Sequence, residues 1–117
     1  MEFIKNENIT RIIEESVPGK QITLSHVIAS PIQEVYESVG VKSLGAMGIL
    51  AITPFETSII AADIAAKASN VEIGYIDRMT GYVLLVGDVE SVETALLEVN
   101  HVLKNILGFT TSSITRT

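Results

Sequence analysis

The side chains that could take part in chemistry are few and widely spaced in this chain. His26 and His101 are the two histidines, and they do not form the His-x-x-x-His spacing of a helical metal site. The chain has no cysteine, which excludes disulfides, thiolate metal ligands and a cysteine nucleophile. Its 14 acidic residues include none with a base or nucleophile in a recognisable arrangement. We therefore expect no catalytic residue, no metal site and no cofactor.

Four polar residues have ordinary structural interpretations. His26 lies on the apolar side of a predicted strand, which is typical of a hydrogen-bonded core or interface histidine. Asp77 and Arg78 end another predicted strand beside a glycine-containing turn, where a solvated surface ion pair is the simplest interpretation. Lys67 comes near the end of a predicted helix, where a cation stabilises the helix dipole.

The bulk composition limits the class of protein. A chain of 117 residues with 47% apolar and 19% charged residues fits one folded domain. The formal net charge of −6 argues against a nucleic-acid partner. Residues 1–15 alternate charged and apolar side chains, so we predict neither a signal peptide nor a membrane span and expect a cytosolic protein. Much of the hydrophobicity is aliphatic or alanine, which suits subunit packing as well as a dense monomer core.

Periodicity and turn residues then indicate the elements that must position these side chains. Three helices are predicted, which begin at Pro31, at Pro54 and after Gly87-Asp88, and which end near Gly40, Ser69 and Gly108. The predicted strands are 9–16, 21–29, 45–53, 71–78 and 82–86, and the tail 109–117 could add an edge strand or fray. This order predicts a single α/β (α+β) domain over 1–117, ferredoxin-like, with 1–20 as an extension and 21–117 as the core.

Three local patterns give more detail. Alternation in 21–29 predicts Ile22, Leu24, His26 and Ile28 on one face of the strand and Thr23, Ser25 and Val27 on the other. Thr53-Pro54-Phe55-Glu56 predicts a capping box at the start of the second helix. One apolar stripe is predicted along the last helix, formed by Val92, Ala95, Leu96, Val99, Val102, Leu103 and Ile106.

Several segments resemble one family when they are read in order. The segment 45–53 resembles the first strand of the shell-protein domain of bacterial microcompartments, 65–75 its first helix end and second strand, and 87–92 the turn that opens its second helix. The segment 17–29 resembles the strand that ends that domain, but here it comes near the beginning. A strand moved in this way indicates a circular permutation. A fold tolerates such a change when its original termini lie close together at the surface. The chain is similar to the permuted subfamily known as the EutS/PduU type.

The resemblance implies a hexameric tile with a central pore, with other shell proteins and encapsulated enzymes as the partners to expect. It implies that Arg78, Met79, Thr80 and Gly81 line the pore and that Lys67 lies at the hexamer edge. Gly45 is a possible hinge that lets the hexamer bend. In the permuted subfamily, six N-terminal strands form a small parallel barrel that caps the pore. The residues implied for it here are Ile9, Thr10, Arg11, Ile12, Ile13, Glu14 and Glu15.

One motif departs from the family pattern, and both the pathway and the class of protein have alternatives. Unpermuted shell proteins carry a Pro-Arg-Pro-type turn after the strand that 17–29 resembles, and here the turn is Ala29-Ser30-Pro31, which implies different edge chemistry. An ethanolamine compartment is the first expectation for the pathway, with propanediol and choline compartments as alternatives. A small-molecule-binding ferredoxin-like regulator is the alternative from another class, and an enzyme is a more distant one.

Overall fold

The computed structural model describes residues 19–117, which form one five-stranded sheet and three helices. In chain order the elements are β1 (Gln21–Ile28), α1 (Gln33–Val39), β2 (Ala46–Thr53), α2 (Thr57–Ala68), β3 (Glu72–Asp77), β4 (Tyr82–Gly87), α3 (Val89–Asn105) and β5 (Thr115–Arg116). The order matches the predicted one from residue 21 onward, and the α/β fold class is confirmed.

The sheet has the strand order β3-β4-β2-β1-β5. The strands β1, β2, β4 and β3 pair antiparallel, and β5 pairs parallel with β1. The parallel pairing follows from the chain path, because the α3 crossover returns the chain to the outer side of β1. β5 confirms that the tail adds an edge strand.

The main core lies between one face of the sheet and the two helices α2 and α3. Alternate residues of β2 and β4 point into it, as the period of two in a strand requires. The α3 stripe packs there through residues 92, 95, 96, 99 and 103. The buried apolar residues of α2 are alanines, which let the helix approach closely: Ala61, Ala62 and Ala65, with the partly buried Ile64 packed beside them.

The opposite face of the sheet has a smaller cluster under α1. Tyr36 is the buried residue of this helix, and it packs against Met47, Leu84 and Val86. A single short helix covers only part of that face. The strand residues farther along it therefore stay partly exposed, among them Leu24 and Tyr82.

The predicted division of β1 into two faces was right from Leu24 to Ile28 and wrong at Ile22. The register of β1 against β2 shifts between Ile22 and Leu24, which marks a β-bulge. The bulge turns the strand, so Ile22 shares the buried face with Ser25 and Val27, while Leu24 and His26 are half-buried on the other face. Simple alternation cannot locate a bulge, because the extra residue changes the phase of the pattern.

Three local predictions about the helices were also wrong. Pro31 precedes α1 by two positions, and Ile32 occupies the N-cap. α2 begins at Thr57 after an N-cap Glu56 that makes no side-chain cap hydrogen bond, so the capping box does not form. Ile106 is the C-cap residue of α3 and is 72% exposed, so the buried stripe ends before it.

Candidate functional site

The strands β3 and β4 are joined by a tight turn over residues 78–81. The amide of Gly81 donates to the carbonyl of Asp77 at 2.7 Å, and the amide of Thr80 donates to the same carbonyl at 3.3 Å. Gly81 has φ +84°, a conformation in which glycine is strongly favoured. The turn is therefore fixed by its own backbone.

The Asp77 carboxylate stabilises the turn by a hydrogen bond to the backbone of the turn itself. Its Oδ1 accepts a hydrogen bond from the amide of Met79 at 3.0 Å. The hydroxyl of Thr80 and this amide together hold the pKa of Asp77 below its ordinary value, because both stabilise the charged form. Within residues 19–117 this carboxylate makes no ion pair with Arg78, which corrects the expected surface pair.

The side chains of Arg78, Met79 and Thr80 are all exposed, Met79 to 73%. The turn therefore presents a guanidinium, a thioether and a hydroxyl at the surface, where a ligand or another subunit could contact them. No base is hydrogen-bonded to a nucleophile here, and the described part of the chain contains no group of three His, Asp or Glu side chains that could hold a metal ion.

The turn rests on the far end of β2. A Cβ placed on Gly81 would lie 2.1 Å from the carbonyl oxygen of Ile52 and 3.0 Å from Cδ1 of Phe55. The amide of Ile52 donates to the Gly81 carbonyl at 2.9 Å, so the two backbones are in direct contact. Phe55 is a neighbour of the turn that sequence reasoning missed, because the two segments are far apart in the chain.

The start of the described chain lies at this same end of the sheet. A Cβ on Gly19 would be 3.9 Å from Cγ2 of Thr53, and Gln21 pairs with Thr53. The 1–20 extension therefore joins the core at the end of β2 that also carries the turn. Residues Ile9 to Glu15, which the sequence assigned to a barrel, lie outside the described residues.

Lys67 belongs to a different end of the domain. It lies in the last turn of α2, ahead of β3, whereas the 78–81 turn follows β3, a strand of about 20 Å. Its Nζ pairs with Oδ2 of Asp63 at 2.8 Å, and both side chains are mostly exposed. Together with Glu98 of α3 they line an open groove of about 280 Å³. The structure does not bring Lys67 and the turn together within one chain.

Gly45 lies just before β2, at the end opposite the turn. Its φ is +118°, and an added Cβ would make ordinary contacts at 3.6 Å with the Gly87 carbonyl oxygen and at 3.7 Å with Cα of Asp88. The backbone angle, and not lack of room, makes glycine the suitable residue here.

The two histidines have separate environments. His26 is hydrogen-bonded through both ring nitrogens to threonines of the 109–117 segment, which confirms that it is a satisfied residue. His101 is exposed on α3, and its Nδ1 lies 3.0 Å from the side-chain nitrogen of Asn105.

A set of large apolar side chains is exposed around β3 and the elements beside it. They lie on the β3 edge strand, on the first part of α2 and around the 78–81 turn, and each is exposed by 39% or more. The members are Phe55, Ile59, Ile60, Ile73, Tyr75, Ile76, Met79 and Tyr82. We call them the β3-edge patch. Within residues 19–117 the outer edge of β3 pairs with no other strand. A free strand edge combined with exposed aliphatic and aromatic groups is typical of a surface that another subunit covers.

Comparisons of the sequence with known proteins show which family this chain resembles. The family model of the BMC domain matches residues 46–116. The bacterial microcompartment shell protein CutR of Streptococcus intermedius is 57% identical over 108 residues, 92% of this chain and 93% of the relative. The shell protein PduU of Salmonella typhimurium is 54% identical over 92% of this chain and 93% of its own, and EutS of the same organism is 47% identical over 93% and 98%.

The fold is also similar to that of a solved relative. A flat hexamer of CutR has a TM-score of 0.83 at 56% identity, over 92% of this chain and 99% of that chain. The chain therefore belongs to the BMC domain family, and its relatives are shell proteins of bacterial microcompartments. The family match begins at β2, so β1 and α1 precede it, although β1 lies within the sheet between β2 and β5. This is the permuted order that the sequence predicted.

Every helix within residues 19–117 is too short or too polar to cross a membrane.

Proposed function

We propose that this protein is a structural, non-catalytic subunit of a microcompartment shell and that six copies close into a ring. The β3-edge patch is the observation that carries the proposal. It places several large apolar side chains in water on an otherwise well-packed domain, and burial of apolar area is the main driving force of association. A ring built from one repeated contact buries such a surface in every subunit.

In this ring the 78–81 turn lines the central pore. Two features support this proposal: the turn projects exposed side chains of three kinds, and Asp77 fixes its conformation. Six copies would bring six guanidinium groups of Arg78 close together, with Met79 and Thr80 beside them. A charged ring of this type acts on ions and polar solutes by their charge.

The N-terminal extension caps this pore in our proposal. The support is the position of Gly19, since the extension joins the core beside Thr53, at the end of β2 that carries the turn. Six strands from residues 9–15 at this end would have no free edge once they close into a barrel.

Two further residues have proposed roles in assembly. Lys67 lies at the edge where one ring meets the next, and its exposure in the open groove between α2 and α3 supports this role. Gly45 serves as the hinge of a bent ring, and its φ of +118° supports a backbone role for that position. Other shell proteins are the expected partners, together with enzymes enclosed by the shell.

The type of compartment is a finer proposal. The sequence favoured ethanolamine, with propanediol and choline as alternatives. The identities with the relatives rise from 47% for EutS to 54% for PduU and 57% for CutR, and this order favours a tile of the CutR or PduU type. Identification of the enzymes that co-purify with intact compartments tests this assignment, and enzymes of ethanolamine breakdown would reverse it.

Native mass spectrometry of the purified chain tests the ring itself. The expected result is one dominant species with six times the mass of the 12.6 kDa chain. Electron microscopy of the same sample should then show discs with a central depression. A stable monomer at micromolar concentration would contradict the proposal.

A further inference from the structure

The outer edge of β1 is covered only in part by the 109–117 segment. Near the start of β1 the amide of Ile22 donates to the carbonyl of Thr110 at 2.8 Å, and the amide of Thr110 donates to that of Lys20 at 2.9 Å. Near its end the amide of Thr117 donates to the carbonyl of Val27 at 2.8 Å. Between these points residues 111–113 form no strand. The two-residue β5 is thus a short and separate contact on this edge.

The imidazole of His26 forms hydrogen bonds with two threonine hydroxyl groups, one in β5 and one just after it. Its Nδ1 lies 2.6 Å from Oγ1 of Thr115, and its Nε2 lies 2.8 Å from Oγ1 of Thr117. Side chains two residues apart in a strand lie on the same face, which lets both threonines reach one imidazole. The Thr115 hydroxyl also donates to the Ser25 carbonyl at 3.4 Å, so it accepts from Nδ1–H, and Nε2 accepts from the Thr117 hydroxyl.

The remaining contacts of β5 are exposed. Arg116 pairs with Glu93 of α3 at 2.9 Å, with 54% and 36% of the two side chains exposed, and a pair of this kind contributes little to stability. The apolar anchors of the segment come earlier, at the buried Phe109 and at Ile114, which packs against the core. A two-residue parallel pairing held by exposed polar contacts opens more easily than the rest of the sheet.

We propose that the outer edge of β1 is a strand-exchange site, which binds residues 115–117 of its own chain or the same residues of a second copy. An uncovered strand edge offers a row of N–H and C=O groups to any extended segment. His26 adds selectivity, because it favours a strand with hydroxyl groups two residues apart, in parallel register. A second copy of this chain carries that strand. The site lies at the sheet edge opposite β3, so it is a different surface from the β3-edge patch on which the proposed ring rests.

Disulfide trapping between two different variants tests the exchange. The natural chain has no cysteine, so a His26→Cys chain mixed with a Thr115→Cys chain offers one thiol on each partner. These positions are direct neighbours across β1 and β5, at a separation that a disulfide can bridge. We expect oxidation to give a covalent heterodimer of the two chains. The control pairs His101→Cys with Thr115→Cys, because His101 is exposed on α3 and should give no such band.

The double variant with both cysteines in one chain provides the reference. If it forms its internal disulfide while the mixed single variants form no heterodimer, the strand binds only in its own chain and the proposal fails. The test is separate from the ring proposal, since a heterodimer needs only two copies. A wild-type chain that sediments as a monomer would count against the ring and leave this result unchanged.

Amide hydrogen exchange tests the role of His26. The change Thr117→Val keeps the shape of the side chain and removes its hydroxyl, and combined with Thr115→Val it removes both contacts to the imidazole. We expect exchange at the residue 117 amide to become about ten-fold faster, as expected for the loss of two neutral hydrogen bonds. The control is Thr94→Val on the exposed face of α3. Unchanged exchange in the double valine variant would show that the hydrogen bonds to His26 do not hold this segment on β1.

Discussion

At the scale of single residues, Gly81 illustrates two constraints that act on one position. Its φ of +84° disfavours any side chain, and an added Cβ would lie 2.1 Å from the Ile52 carbonyl oxygen. A contact this short with backbone cannot be relieved by a rotamer change, so the turn or the end of β2 must move. Gly40 shows the first constraint alone, since it has the same φ with no atom within 4 Å of an added Cβ.

The pair Gly81→Ala and Gly40→Ala separates these two effects. We expect Gly40→Ala to cost about 1 kcal/mol, the penalty of a positive φ. Gly81→Ala should cost at least about 2 kcal/mol more, because strain from the close contact is added. Urea unfolding followed by circular dichroism measures both. Equal losses would mean that the contact with Ile52 imposes no strain.

The Asp88 carboxylate makes a second prediction at the residue scale. It caps α3, accepting from the amide of Ser91 at 2.9 Å and from its hydroxyl at 3.1 Å. These hydrogen bonds hold the pKa of Asp88 below its ordinary value. A lowered folded-state pKa stabilises the protein above the unfolded pKa of about 4, and the stabilisation is lost as the pH falls through the folded pKa.

The change Asp88→Asn keeps a good N-cap but removes the titration. The wild type should therefore be the more stable protein at pH 7, and its advantage should disappear as the pH is lowered below about 4. Thermal unfolding of both proteins between pH 7 and pH 2.5 measures the difference. An advantage that grows in acid would show that the capping carboxylate is not the charged form assumed here.

At the scale of elements, α3 packs directly against Gly48 of β2. A Cβ on Gly48 would be 2.7 Å from Cγ1 of Val92 and 3.7 Å from Cδ1 of Leu96. Glycine in the middle of a central strand is otherwise unfavourable, so its use here is explained by the approach of the helix. Position 48 therefore sets the distance between the sheet and the helical layer.

A double-mutant cycle tests this contact between the two elements. Gly48→Ala should destabilise the protein by about 1–3 kcal/mol through overpacking, and Val92→Ala by about 2 kcal/mol through lost burial. The double variant should lose less than the sum by about 1 kcal/mol, because each change relieves the defect made by the other. Chemical denaturation of the four proteins measures the coupling, and strictly additive losses would refute the contact.

At the scale of the whole molecule, the distribution of exposed apolar groups is uneven. The β3-edge patch combines many such groups on adjoining elements, whereas Leu97 is an exposed leucine with Glu98 beside it in sequence and His101 one turn further along α3. Scattered apolar residues are normal on a monomer, but a concentration of large ones around one sheet edge is not. The contrast gives the proposed ring a matched pair of test sites.

We expect Ile76→Glu to convert the ring into folded monomers and Leu97→Glu to leave it intact. Ile76 is 39% exposed and Leu97 is 61% exposed, so both changes introduce a charge at an accessible site. A charge placed in an apolar contact costs several kcal/mol in each of six interfaces. Native mass spectrometry gives the stoichiometry, and circular dichroism confirms folding. A hexameric Ile76→Glu protein would exclude the β3 edge from the contact.

The sequence by itself determined the order and type of the elements, the permutation and the absence of thiol chemistry. These depend on local periodicity, on turn residues and on composition, which act within short stretches of chain. It also predicted the glycine-containing turn that follows Asp77 and Arg78. The same local patterns failed at β1 and at the start of α2, where the register against β2 and the path after Thr53 decide the outcome.

Only the tertiary structure decided which distant residues meet. The close approach of Gly81 to Ile52, of Gly48 to Val92 and of His26 to Thr115 joins positions separated by 29, 44 and 89 residues. Such pairs depend on strand register and on the packing of helices against the sheet, and neither leaves a periodic signal in the chain. The bulge in β1 has the same origin, because a bulge is defined by the pairing of one strand with its neighbour and not by the sequence of one strand alone.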